Sequence, residues 1–70
     1  MAEQNVAFSV EGIDNDNSAE LIKNSITMLN GVVAVIIDIN AKRVVVEYDE
    51  ERLSADIIKG TIEDAGFEVK

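Results

Sequence analysis

Cysteine and histidine are both missing from this chain of 70 residues, and their absence excludes more chemistry than any residue present supplies. Without a thiol there is no disulfide to staple the fold, no thiolate nucleophile and no soft-metal ligand. Without an imidazole, the commonest general base and the commonest nitrogen ligand for zinc or copper are gone. Basic residues are also few: 6 Lys and Arg stand against 14 Asp and Glu, for a formal net charge of -8. Nucleic-acid binding relies on cations that neutralise phosphates, so that partner class is excluded, and an anionic membrane surface is disfavoured. A basic protein partner is compatible with the charge, although acidity in most domains serves solubility. No apolar run approaches the ~20 residues of a membrane helix. The N-terminal "MAEQNVAF" lacks the basic and then apolar pattern of a signal peptide. The expectation is a cytoplasmic domain without enzymatic activity or cofactor, making no contact with nucleic acid or membrane.

What is present suits one domain over residues 1–70, with residues 1–4 expected as a flexible tail and no Pro/Gly-rich boundary inside. A chain this short buries only about 60% of its unfolded surface, so its margin of stability is thin. In "NVAFSVEG", Val6, Phe8 and Val10 alternate with Ala7, Ser9 and Glu11, the period of a half-buried strand. A helix is expected from about Ala19 to Asn30, with Ile22, Ile26 and Leu29 on one stripe. Asn17 and Glu20 have capping-box spacing, Ser18 is a rival cap, and Gly31 suits the helix end. "VVAVIIDI" and "RVVVEY", joined by a polar turn at Asn40, Ala41 and Lys42, read as a hairpin with Val33, Val35 and Ile37 facing the core. Ser54 caps a second helix with Asp56 in its first turn; Ile58, Ile62 and Ala65 form its buried stripe and Gly66 stops it. "FEVK" closes the order β-α-β-β-α-β. Two right-handed crossovers then give an α+β, ferredoxin-like βαββαβ sandwich: a four-stranded antiparallel sheet with two helices on one face.

Chemistry is sought first in the loop "GIDNDNSAELI", which carries only oxygen-bearing side chains from Asp14 to Ser18. Asp14, Asp16, Ser18 and Glu20 alternate like the first half of a calcium loop, which makes Asp14, Asp16 and Glu20 the hard-cation candidates. Ala19 stands where that loop needs its turning glycine, and Ser25 where it needs its closing Glu, so a solvated, capped helix start is the simpler reading. A phosphate would be repelled by the same carboxylates, despite the helix N-terminus. An acylphosphatase-type site on this architecture requires an Arg near the first strand, and Arg43 and Arg52 come too late. Ala7, Ile36 and Val45 are expected as apolar neighbours on the open sheet face, a patch that suits either a partner surface or ordinary strand composition.

From Gly31 to Val69 the chain reads "GVVAVIIDINAKRVVVEYDEERLSADIIKGTIEDAGFEV". The "GV" after the first helix, the "YD" closing the third strand, the Ser opening the second helix and the terminal "IEDAGFEV" resemble a heavy-metal-associated domain. That family includes bacterial copper chaperones and the N-terminal modules of soft-metal P-type ATPases. Its members carry G-M-x-C-x-x-C across the first loop. In this chain Gly12 matches the Gly, Ile13 replaces the Met, Asp14 takes the variable position, and Asn15 and Ser18 stand at the two cysteines.

The resemblance thus implies the fold of a metallochaperone whose defining ligands are absent. A soft monovalent ion is held by paired sulfurs, which a carboxamide and a hydroxyl do not replace. No metal is expected for Cu(I) at Asn15 and Ser18. What the resemblance leaves is docking on a P-type ATPase soluble domain or another basic partner, through Ile13, Asp14, Asp16 and Phe67, by a monomer or weak dimer. The alternatives are a weak hard-cation binder across Asp14–Glu20 and an inert vestige. Phe67 in that comparison lies beside the metal loop; as a plain residue it is a core aromatic covering the sheet end.

Overall fold

The computed structural model describes residues 2–70. Its elements are β1 (Glu3–Glu11), α1 (Asp16–Thr27), β2 (Val32–Asp38), β3 (Arg43–Asp49), α2 (Ala55–Asp64) and β4 (Glu68–Val69). The strands lie in the order β2-β3-β1-β4, all neighbours antiparallel, with α1 against β2 and α2 beside β4. This is the expected ferredoxin-like sandwich. Branched aliphatic residues drive it. Val10, Ile13, Ile22, Ile26, Val44, Val46, Ile58 and Ile62 are fully enclosed between the sheet and the helices, and no polar side chain is buried among the described residues. At about 25 cal/mol per Å² of apolar surface, this layer is the dominant favourable term in a chain without covalent cross-links.

The sequence pattern is corrected in three places. Glu3 and Gln4, expected in a flexible tail, belong to β1 opposite Asp49 and Tyr48. The reason is that β3 and the turn after it offer partners that far, and the Ala2 carbonyl itself accepts the Glu50 N–H at 2.8 Å. Met1 lies outside the described residues. The first helix is displaced towards the N-terminus: it opens at Asp16 and closes at Thr27. Gly31 therefore does not cap it. Its φ of +110° instead turns the chain into β2, where its carbonyl accepts the Asp49 N–H at 2.8 Å. Third, Val33 does not face the core. The register slips between Val32 and Ala34, so Val33 is the extra residue of a bulge and is 51% exposed, while Val32 packs inward in its place.

Beyond the bulge the pattern holds: Val35 and Ile37 pack on the core, and Ala7, Val45 and Ile36 lie side by side across β1, β3 and β2 on the open face. Ile36, on an edge strand, is 65% exposed.

Two glycines separate conformational need from mere cost. A Cβ on Gly60, inside α2, would meet nothing within 4 Å, whereas one on Gly31 would lie 3.0 Å from the Arg52 Cβ at a positive φ. Gly60→Ala is expected to stabilise the protein by about 0.5–1 kcal/mol through helix propensity. Gly31→Ala is expected to destabilise it by about 1–3 kcal/mol. The midpoints of urea unfolding at constant m-value report both.

Candidate functional site

The loop between β1 and α1 is positioned from three sides. Gly12 leaves β1 at φ +97°, a turn that carries the chain over the sheet end. The Phe67 ring lies against it: a Cβ on Gly12 would stand 3.3 Å from the Phe67 Cδ1. Phe67 is half-buried and packs on the core, so it covers the sheet end and flanks the loop at once. Ile13 points down into the core with 0% of its surface exposed. This corrects its place among the partner-binding candidates, because a side chain sealed under the loop offers a partner nothing to touch. The apolar layer needed an aliphatic residue there to close its top.

Asn15 is the N-cap of α1. Its backbone is extended, with φ −155° and ψ 176°, and its Oδ1 accepts the Ser18 N–H at 2.9 Å. The Ala19 N–H donates to the Asn15 carbonyl at 3.2 Å, the first bond of the helix. Asn15 thereby satisfies one of the donors that a helix start leaves open. Neither Asn17 nor Ser18 caps the helix, as the spacing suggested; both lie within its first turn. The two positions that the resemblance sets against the family's cysteines are thus joined to each other, carboxamide oxygen to main-chain N–H, as a piece of helix architecture.

The acidic residues do not converge. Asp14, Asp16 and Glu20 are all exposed, and no group of three acidic residues among the described residues is arranged to hold a metal ion. The helix explains why. Once it starts at Asp16, alternate positions turn by about 200° and diverge, while Asp16 and Glu20 share a face as like charges. Asp16 instead complements the helix dipole in the first turn. Soft donors are equally distant. Met28, carrying the only sulfur among the described residues, follows the last turn of α1. Twelve helical residues separate it from the loop, about 18 Å of rise. The donor set at Asn15 and Ser18 therefore does not fit a soft cation.

Charge at this end of the sheet is organised around Glu11, which sequence reasoning did not single out. Its carboxylate lies 3.1 Å from the Lys70 Nζ and 4.0 Å from the Lys42 Nζ, tying β1, the hairpin turn and the C-terminal strand together. The hydrogen bond and charge of Lys70, followed by the charge of Lys42, hold the Glu11 carboxyl below its usual range. The same hydrogen bond and charge raise Lys70. Only the register of the folded sheet could reveal this triad, since its members lie 28 to 59 positions apart.

A βαββαβ sandwich with its first loop set over the sheet end is an architecture that serves many functions, and the comparisons make the assignment specific. The model of the heavy-metal-associated domain matches residues 7–68. The copper chaperone CopZ of Staphylococcus haemolyticus (strain JCSC1435) is 36% identical over 94% of this chain and 97% of its own. A protein of known solution structure from Bacillus anthracis str. Ames superposes with a TM-score of 0.93 at 29% identity, covering 99% of this chain and 97% of its own. A copper-binding domain from HMA7, a P-type ATPase, superposes with a TM-score of 0.90 at 26% identity, over 94% and 89%. The chain belongs to the heavy-metal-associated domain family.

Two outcomes follow from this geometry. Asn15→Ala removes the cap and is expected to cost about 1 kcal/mol, with Asn15→Asp close to neutral, read as shifts of the urea midpoint. Lys70→Gln is expected to move the Glu11 carboxyl upward in a side-chain NMR titration, as is high salt. The depressed Glu11 contributes stability that is complete above its ordinary value of about 4.3 and is lost as pH falls through the lowered folded value. The raised Lys70 contributes stability that is complete below about 10.4 and is lost as pH rises through its raised folded value. Both limbs should flatten in the variant.

Proposed function

We propose that this chain is a heavy-metal-associated domain that does not carry Cu(I) and acts by docking, as an acidic, non-enzymatic module of cytoplasmic metal transport. The observation that carries the reading is the 2.9 Å bond from the Ser18 N–H to the Asn15 Oδ1, which commits the position of one family cysteine to starting α1. Hard neutral oxygens bind a soft monovalent ion poorly, and no sulfur of the described residues stands near the loop. The intact scaffold supports docking, because the surface around the loop persists without the ligands. Its exposed carboxylates, Asp14, Asp16 and Glu20, suit a basic partner, and half-buried Phe67, beside Gly12, adds a partly apolar edge to the loop. The soluble domain of a P-type ATPase is the partner class that the similar solved domain supports.

The reading is tested by equilibrating the reduced protein with Cu(I) against a strong competing chelator. No copper should be retained, and stoichiometric retention would overturn the assignment. The variant carrying both Asn15→Cys and Ser18→Cys should retain copper, while either single variant should retain far less, because one thiolate does not make a two-coordinate site. Docking is read from amide NMR spectra as a P-type ATPase soluble domain is added: shifts should gather on residues 14–20 and fade with salt. Shifts produced there by Ca²⁺ alone would favour a hard-cation site instead.

A further inference from the structure

Asn30 and Gly31 form the turn from α1 into β2, at the opposite end of the sheet from the candidate site. We infer that this turn is a site of spontaneous covalent modification, in which Asn30 deamidates through attack by the main-chain nitrogen of Gly31. The chain has six asparagines, and the structure distinguishes this one. Asn30 is exposed, lies outside helix and strand, and precedes a residue with no Cβ to obstruct ring closure. Among the described residues neither the Asn30 carboxamide nor the Gly31 N–H has a hydrogen-bond partner.

Elsewhere the reacting groups are engaged or crowded. The Asn15 carboxamide accepts the Ser18 N–H, and that same N–H is the nitrogen that Asn17 would need. The nitrogen after Asn40 belongs to Ala41 and donates to the Asp38 Oδ1 at 3.1 Å. Asn24 and Ser25 are both within α1, where main-chain N–H groups are held by the helix. Asn5 lies in the β1 ladder and precedes β-branched Val6.

The reaction balances without an oxidant. The Gly31 nitrogen loses its proton and bonds to the Asn30 Cγ, and the carboxamide nitrogen leaves as ammonia, closing a succinimide. Solvent water then opens either carbonyl, giving aspartate or isoaspartate. Each product adds one negative charge to a chain already at -8. It does so in an open groove of about 270 Å³ lined also by Glu3, Val33, Asp49 and Arg52. The isoaspartate form also inserts a carbon into the main chain directly before Gly31. That position is constrained: the Gly31 carbonyl holds the Asp49 N–H, and the Arg52 Cβ leaves only 3.0 Å above the Gly31 Cα substituent site. The isoaspartate product should therefore be less stable than the aspartate product.

The test is to incubate the folded protein at mildly alkaline pH, beside an Asn30→Gln variant and a sample in urea, and to follow intact mass, anion-exchange retention and peptide maps. A gain of about one dalton should appear in the folded sample, map first to the peptide spanning Asn30 and Gly31, and be missing from the variant. The modified species should be retained longer on the anion exchanger, and its isoaspartate fraction should unfold at lower urea. Absence of any gain, a gain that maps first to Asn17 or Asn40, or a gain confined to the urea sample would overturn the inference.

Discussion

A single layer of branched aliphatic side chains, closed between one sheet face and two helices, holds every other feature of this protein in place. There is no disulfide to share the load, and no buried polar network among the described residues that would fix a unique arrangement by hydrogen bonding. Shape and apolar area do this work, which is demanding in a chain of 70 residues. The layer also reaches the site. Ile13 is part of it, so the loop above is held by the same packing that holds the helices, with Phe67 at its side and the Asn15 cap at its exit. The loop is thus shaped by packing and by its helix cap.

That shape belongs to a family whose relatives are copper chaperones, but the donors displayed on it are of another kind. Softness matters more than geometry here. Oxygen atoms can be brought to the same points in space as sulfurs and still hold a polarisable monovalent ion weakly. The nearby charge leads in the same direction. Glu11 is occupied by two lysines, and the remaining carboxylates of the loop diverge into solvent, where they generate a negative field and no cage. The docking proposed above draws on that field, which needs no enclosed cation.

Most of the fold was legible because alternation and helical stripes both encode burial. Val6, Phe8 and Val10, then Ile22 and Ile26, then Ile58 and Ile62 turned out to face the core, and the caps at Ser54 and Gly66 fell where turn chemistry placed them. The errors have a common cause. Val33 and Ile13 were read by local period and by analogy, while their orientation is set by partners distant in the chain: the register of β2 on β3, and the gap that the helices leave over the sheet end. The start of α1 was missed because several capping residues follow one another in Asp14, Asn15, Asp16, Asn17 and Ser18, and any of them suits the role. At the site, the absence of thiols was plain from composition alone. The Glu11 triad was invisible, since nothing local connects Glu11, Lys42 and Lys70.

The cap at Asn15 has a bearing on how the site can change. A sulfhydryl at that position is a poorer acceptor for the Ser18 N–H than the carboxamide it would replace. A lone thiol there would loosen the start of α1 before any ion could repay the loss, and a lone thiol at position 18 would have no partner. Any stepwise route from the present loop to a sulfur pair crosses a valley in which folding is worse and chelation is no better, so the cap acts as a ratchet.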